Sequence, residues 1–282
     1  MSESVRIERE GAIAIVWIDN PPVNATSHHV RTGLLAAVRR IDADETIAAA
    51  LLIGAGRTFV AGADIREFDQ PLADPQMPAI VAAIMDSPKP FVAALHGAAL
   101  GGGFELALAC DLRIAAPGTV VGLPEVLLGM IPGAGGTQHV PRLAGIATAI
   151  EIVCSGRRIE AGEAVRLGLV DRVVEGDLRA AALAEAAASR AKRRVRDLPV
   201  RADPPQRVEA AERAAREAGA GSAQVEAGIA AVKEAASRPY ADALAHEREV
   251  FQRLRNSEEA AALRRKFFSQ RAAAKGRPPP GA

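Results

Sequence analysis

The stretch HGAALGGGFELALACD, His96 to Asp111, carries the pattern from which the fold is read. Three glycines, Gly101 to Gly103, split it. Phe91 to Leu95, just upstream, is a short apolar run of the kind that forms a buried strand. Phe104 to Ala109, just downstream, is an apolar run that suits a helix beginning at the glycines, and Leu112 to Ala115 reads as another strand. Working outward, Val5 to Ile18 reads as a hairpin turning at Gly11, and Asn20-Pro21-Pro22 stops its second strand. Ser27 to Asp42 has helical spacing, with Val30, Leu34, Ala37, Val38 and Ile41 on one face. Ala48 to Ile53 is a buried strand, and Ile80 to Met85 a helix stopped by Pro88 and Pro90. Strand, strand and helix recur at irregular length up to about residue 178, so the class is α/β. From Leu178 alanine, arginine and glutamate dominate, giving a helical region broken near Pro199 to Pro205, at Gly219 to Gly221 and at Pro239. Asn256, with Glu259 three residues on, is the expected cap of a last helix striped by Leu263, Phe267 and Phe268. Residues 276–282 read as a disordered tail.

Composition narrows the function classes. The 282 residues carry a net charge of +1, which exerts no general pull on nucleic acid or anionic membranes. Aromatics at 3% are too few for base-stacking platforms. Two cysteines, Cys110 and Cys154, make no disulfide framework and read as buried reduced thiols. The charged start lacks a secretory apolar core, and the most apolar stretch holds His96, Glu105 and glycines, so neither export nor a membrane span is expected and the setting reads as cytoplasmic. The five histidines show no metal spacing, and the glycine clusters match neither a dinucleotide fingerprint nor a phosphate loop. The basic run SRAKRRVRD, Ser189 to Asp197, reads as a solvated face more readily than as an RNA or phosphate contact.

Chemistry concentrates in four segments: NPPVNA (Asn20–Ala25), FVAGADIREF (Phe59–Phe68), the opening stretch, and GLPEVLLGMIPGAGGTQ (Gly122–Gln138). Glu105 stands among apolar residues right after the glycines. It reads either as an acid poised by burial or as a first-turn acid meeting the positive helix end. Glu125, after Pro124, has the same two readings. If the two carboxylates from different elements face one site, they can divide acid–base work.

These segments, in this order and approximate spacing, resemble the enoyl-CoA hydratase/isomerase (crotonase) family, convincingly over residues 5 to about 178 and more weakly to Lys275. The helical end, with LRNSEEAAALRRKFFSQRAAAK, looks like the hydratase half of bifunctional fatty-acid oxidation enzymes, in which a dinucleotide-binding dehydrogenase part follows. The chain is therefore read as a stand-alone relative or a truncated descendant. The resemblance implies a crotonase-like spiral of ββα units over residues 1–178. A helical C-terminal region, for oligomerisation or linking, follows over 179–275. It implies hydration of a 2-enoyl-CoA in fatty-acid or related acyl-CoA degradation, with Δ3–Δ2 isomerisation open to the same site. Coenzyme A belongs to the substrate and no separate cofactor is implied. A homo-oligomer, trimer or hexamer, is implied too. Matched by motif, the peptide N–H groups of Ala63 and Gly102 form an oxyanion hole. Glu125 is the main proton donor to C2 and Glu105 the main water partner, with the Gly133 backbone holding the water or the Glu125 carboxylate. Val23, Ala25, Ala61, Gly62, Asp64, Ile65, Gly101 and Pro124 meet the acyl-CoA. Phe267 or Phe268 and Lys275 of a neighbouring subunit are candidates to cover the coenzyme. The segment between Phe68 and Pro78 is expected to line the acyl pocket. Competing readings are another crotonase reaction on a different acyl-CoA, an RNA- or protein-binding role, and a scaffold for a dehydrogenase.

Overall fold

The computed structural model describes residues 4–68 and 70–274, with side chains as far as Gln270. Lys275 and the tail 276–282 lie outside the described residues. The chain opens with the hairpin β1 (Val5–Glu10) and β2 (Ile13–Ile18), turned at Gly11. Helix α1 (His28–Ala43) is capped by Ser27, and its five expected apolar positions are all buried. There follow β3 (Ala49–Gly54), α2 (Met77–Asp86), β4 (Phe91–Leu95), β5 (Ala98–Leu100), α3 (Gly102–Ala109), β6 (Leu112–Ala115) and β7 (Val120–Gly122). A 3-10 turn at Pro124–Leu128 leads to α4 (Gly136–Ala144), α5 (Ile146–Ser155), β8 (Ile159–Glu160), α6 (Ala161–Leu167) and β9 (Arg172–Val173). The rest is helical: α7 (Leu178–Ala188), α8 (Pro205–Ala218), α9 (Ala223–Ser237), α10 (Tyr240–Arg255) and α11 (Glu258–Ala274).

Two sheets organise these elements. The larger has the order β1-β2-β3-β4-β6-β9 and is parallel after the initial hairpin. The smaller is β5-β7-β8. The strands β3 and β4 read as unbroken apolar runs because both faces of the sheet are covered there. Ala14, Val16, Ile18, Ala50, Leu52, Ala93 and Leu95 point into the main core. Ile13, Ile15, Leu51, Ile53, Val92 and Ala94 point the other way, where Ala182, Leu183 and Ala186 of α7 cover them.

The irregular repeat has a structural counterpart. After β3, Val60 bridges to Ala99 before the chain enters α2. After β4 comes β5 and then α3, and after β6 comes β7, the 3-10 turn and α4. Each unit thus leaves the large sheet, touches the small sheet and enters a helical segment. Residues just past the small-sheet contact recur at corresponding places, and these are the Ala63, Gly102 and Glu125 regions.

Two local expectations change. Asn256 ends α10, and the cap of α11 is Ser257, whose Oγ accepts from the Ala260 N–H at 3.1 Å. The offset arises because α10 uses Asn256 as its own terminus, so the serine beside it is the first residue free to cap. The basic run is a strap rather than a solvated face. Lys192 Nζ bonds to Asp111 Oδ2 at 2.8 Å and to the Ile84 carbonyl at 3.0 Å, and the Arg193 amide donates to Asp111. Arg193 pairs with Asp171, Arg194 donates to the Met85 carbonyl and Arg196 pairs with Asp86. These cations are taken up by the chain itself. Cys110 and Cys154 are free and buried, and burial pushes each thiol up to about 12. Among the described residues no helix is long and apolar enough to cross a membrane.

Asp111 closes the glycine-rich stretch and anchors this strap. It is 3% exposed and also accepts from the Phe91 amide at 2.7 Å. Asp111→Asn keeps the shape but leaves the nearly buried Lys192 ammonium uncompensated. Urea melts are expected to show a loss of about 3–5 kcal/mol, the scale for breaking one side of a buried pair. Lys192→Met leaves the buried Asp111 carboxylate without its ammonium and is expected to cost a similar amount, whereas the double variant Asp111→Asn/Lys192→Met, which removes both charges, is expected to cost less than the two single losses added together.

Candidate active site

The corresponding segments of the successive units converge on a cavity of about 560 Å³. Val23, Ala61, Gly62, Ala63, Ile65, Gly101, Gly102, Glu105, Pro124, Glu125 and Gly133 all line it, so most of the motif residues meet there. Ala25 and Asp64 do not line it. The Ala25 carbonyl instead accepts from Asn20 Nδ2 at 2.8 Å and holds the NPPVNA loop together. Asp64 caps the 3-10 turn Ile65–Glu67 through the Arg66 amide and pairs with the Arg66 guanidinium, which holds its carboxyl below the usual range. A short acid after two small residues forms that local ring more readily than it reaches a ligand.

Gly102 is the first residue of α3, so its amide has no intrahelical acceptor. Ala63 sits at the equivalent place in the preceding unit. Neither amide donates to another described backbone carbonyl. The backbone that presents them is specific. Gly101 has φ +54°, and a Cβ there would stand 2.7 Å from Glu125 Oε1. A side chain at 101 would therefore be strained and would displace the acid.

Glu105 lies one turn into α3 and is 3% exposed. Its Oε1 accepts the amides of Ala134 at 2.7 Å and Gly136 at 3.0 Å. Neither bond uses Oε2. Burial raises its pKa, while the two amides and the Arg248 charge pull against that rise. The Gly133 backbone also pulls against the rise at Glu105. Glu125, in the 3-10 turn after β7, has the opposite environment. Its buried Oε2 has no hydrogen-bond partner among the described residues. Burial first, and the Glu105 charge second, hold its pKa well above the ordinary carboxylate range. Burial raises both carboxyls, but Glu105, with two amides and the Arg248 charge, is raised less than Glu125 and is the more readily ionised of the two.

The C-terminal helices complete the walls in ways the motifs do not announce. Arg248 and Phe251 of α10 and Phe267 of α11 line the cavity, all from the same chain. Phe267, expected from a neighbouring subunit, therefore reaches the pocket of its own chain, and Phe268 stacks on Phe68. Arg248 extends toward the Gly133 carbonyl and over the Phe251 ring. A smaller cavity of about 110 Å³ shares Phe68, Met77, Arg248 and Phe251 with the main one; Pro71, Leu72 and Ala73 line this side cavity and not the main one. Behind the wall stands a third buried carboxylate, Glu247. Its oxygens take the amides of Gly135 at 2.7 Å and Thr137 at 3.0 Å, together with the Thr137 hydroxyl. Burial and then the Glu105 charge push Glu247 up to about 8, against the pull of those donors. Sequence reading passed over it, although Ala243, Glu247, Val250 and Leu254 form one helical stripe in which the acid is the exception.

The sequence model described as enoyl-CoA hydratase/isomerase matches residues 8–202. A zebrafish (Danio rerio) peroxisomal bifunctional enzyme is 41% identical over 277 residues, covering 96% of this chain and 38% of that protein. A probable enoyl-CoA hydratase of Bacillus subtilis is 44% identical over 165 residues, covering 56% of this chain and 64% of that protein. A crystal structure of an enoyl-CoA hydratase subunit from Geobacillus kaustophilus superposes with a TM-score of 0.59 at 32% identity, covering 100% of this chain and 99% of that one. The chain spans about two-fifths of the length of the bifunctional relatives, 38% and 40% in two of them. On the match over residues 8–202 and the full-length structural correspondence, the chain belongs to the enoyl-CoA hydratase/isomerase family.

Proposed function

We propose that the protein is an enoyl-CoA hydratase, adding water across the C2=C3 bond of a 2-enoyl-CoA thioester in acyl-CoA degradation. The observation that carries this reading is the pair Glu105 and Glu125 in one cavity, with amide donors on the first and an unpartnered oxygen on the second. The thioester carbonyl sits against the amides of Ala63 and Gly102. Glu105, ionised, takes a proton from water as the water oxygen bonds to C3. The π electrons move through C2 to the thioester oxygen, where the two fixed amides stabilise the enolate without reorganising. Glu125, protonated, delivers its proton to C2 as the carbonyl re-forms. The proton gained by Glu105 then restores Glu125 by exchange through solvent. Val23, Ala61, Gly62, Ile65, Gly101 and Pro124 contact the acyl-CoA, and no cofactor beyond the substrate's own coenzyme A takes part. Isomerisation of a 3-enoyl-CoA uses the same oxyanion contacts with Glu125 moving the proton, so both activities belong to one site.

Glu105→Gln and Glu125→Gln keep size and remove proton transfer. Each is expected to lower kcat for hydration at least ~10²-fold with folding intact, on the scale of general acid–base catalysis. Turnover close to wild type in either variant removes the role given to that residue.

The pH profile follows from the direction of the Glu125 shift. Glu125 in its acid form is the donor and ionised Glu105 the base, so kcat is expected to fall as pH climbs through the raised Glu125 pKa and to fall again as pH drops through that of Glu105. Activity confined to the acid side of the ordinary carboxylate range, in a stopped-flow or steady-state pH series, contradicts the assignment.

Gly102 tests the backbone contact. A Cβ there would meet only Met77 Cγ at 3.6 Å and Thr26 Oγ1 at 3.8 Å, both on cavity-lining residues. Gly102→Ala therefore fits and is expected to be mild. Gly102→Val extends into the thioester's place and is expected to abolish most turnover while the melting temperature stays close to wild type. Loss of stability ahead of activity would mark the glycine as a packing residue instead.

A further inference from the structure

We propose that Glu247 is a positioning residue of the acid–base centre: from α10 it holds the Ala134–Thr137 turn so that the turn's other amides stay on Glu105. The turn is the start of α4, whose first amides have no intrahelical acceptor. These donors are shared out in alternation. Ala134 and Gly136 go to Glu105, while Gly135 and Thr137 go to Glu247. Glu247 is fully buried, and three donors with no acceptor surround its oxygens. An apolar side chain would fill that place at lower cost, since burying a carboxylate is expensive. What only a carboxylate supplies is simultaneous acceptance from two amides and a hydroxyl. Without it the Gly135 and Thr137 amides would be buried and unpaired, and the turn would gain by rotating them toward Glu105 or toward water. Either rotation alters the donors that set the basicity and aim of Glu105. Gly135 has φ +105° and must lack a Cβ, because one there would lie 2.4 Å from the His139 ring, so the amides can be aimed alternately at the two acids. The hold therefore comes from both sides.

The kinetic part of this proposal rests on the hydratase reading, and the experiment separates the two. Glu247→Gln places an amide NH2 against donors that need an acceptor. Amide hydrogen exchange over residues 133–138 is read by mass spectrometry, beside kcat and KM for crotonyl-CoA. Leu254→Ala, on the same helix but away from the turn, serves as a control for general destabilisation. Glu247→Gln is expected to speed exchange in this segment at least ~10-fold and to lower kcat ~10- to 10²-fold, with KM changed less than ~3-fold. Leu254→Ala is expected to lower the melting temperature without either local effect. Should Glu247→Gln fail to fold, Glu247→Asp, which keeps the charge one methylene short, is expected to give the same pattern at smaller size. Wild-type exchange and kcat in a folded Glu247 variant, or the same pattern from Leu254→Ala, overturns the proposal. If the wild-type protein hydrates no enoyl-CoA, the reaction assigned above is wrong, and the exchange comparison alone still decides whether Glu247 holds the turn.

Discussion

Four successive amides, from Ala134 to Thr137, lie between two buried carboxylates, and the three helices around the cavity are tied together there. Glu105 comes from α3, Glu247 from α10, and the amides from the start of α4. An ionised carboxylate moved out of water loses several kcal/mol that only close donors return. The buried start of a helix has the complementary deficit, amides with no acceptor. Each deficit satisfies the other. Removing any member exposes a charge or an amide inside the protein, so the arrangement is held in place by what its loss would cost.

The fold supplies the members by repetition. Each unit runs through the large sheet, touches the small one and turns into a helix or a 3-10 turn. Elements that repeat around a common core end at comparable depths, so the residues past each small-sheet contact face one cavity. Ala63, Gly102 and Glu125 are such residues in consecutive units. The C-terminal helices add the far wall. This region is therefore part of the site: α10 places Glu247, Arg248 and Phe251, and α11 places Phe267.

Features set by local pattern were legible in the sequence. The α1 stripe, the Gly11 turn and the strands Phe91–Leu95 and Leu112–Ala115 depend on periodicity and apolar runs, and they stand where the pattern puts them. Glu105 and Glu125 stood out as acids inside apolar runs, and they share a cavity. Features set by distant partners were not legible. Glu247 meets residues 112 and 110 positions earlier, so its stripe signals a buried acid without saying what satisfies it. Lys192 looks like any exposed cation until Asp111, 81 positions away, is brought beneath it. The Asp64 carboxylate is taken up two residues on, by Arg66, a local ring that its position in the motif does not reveal.

Three carboxylates around one turn would repel one another if all were equally ionised, and the structure grades their surroundings instead. Glu105 has two short amide bonds and the nearby Arg248 charge. Glu247 has three donors but lies behind the cavity wall, where burial and the Glu105 charge push it up to about 8. Glu125 has an oxygen with no donor, and both other acids raise it. Any charge that settles on Glu105 therefore strengthens the hold of Glu125 on its proton. The base and the acid are prepared by the same field: ionising the group that receives dipoles keeps protonated the group that does not. Glu247 contributes through the turn that stabilises Glu105, and its charge, once it ionises, opposes ionisation of Glu125. An acid–base pair of opposite protonation can in this way be built from two identical side chains, with the difference carried by backbone amides and by the charges around them.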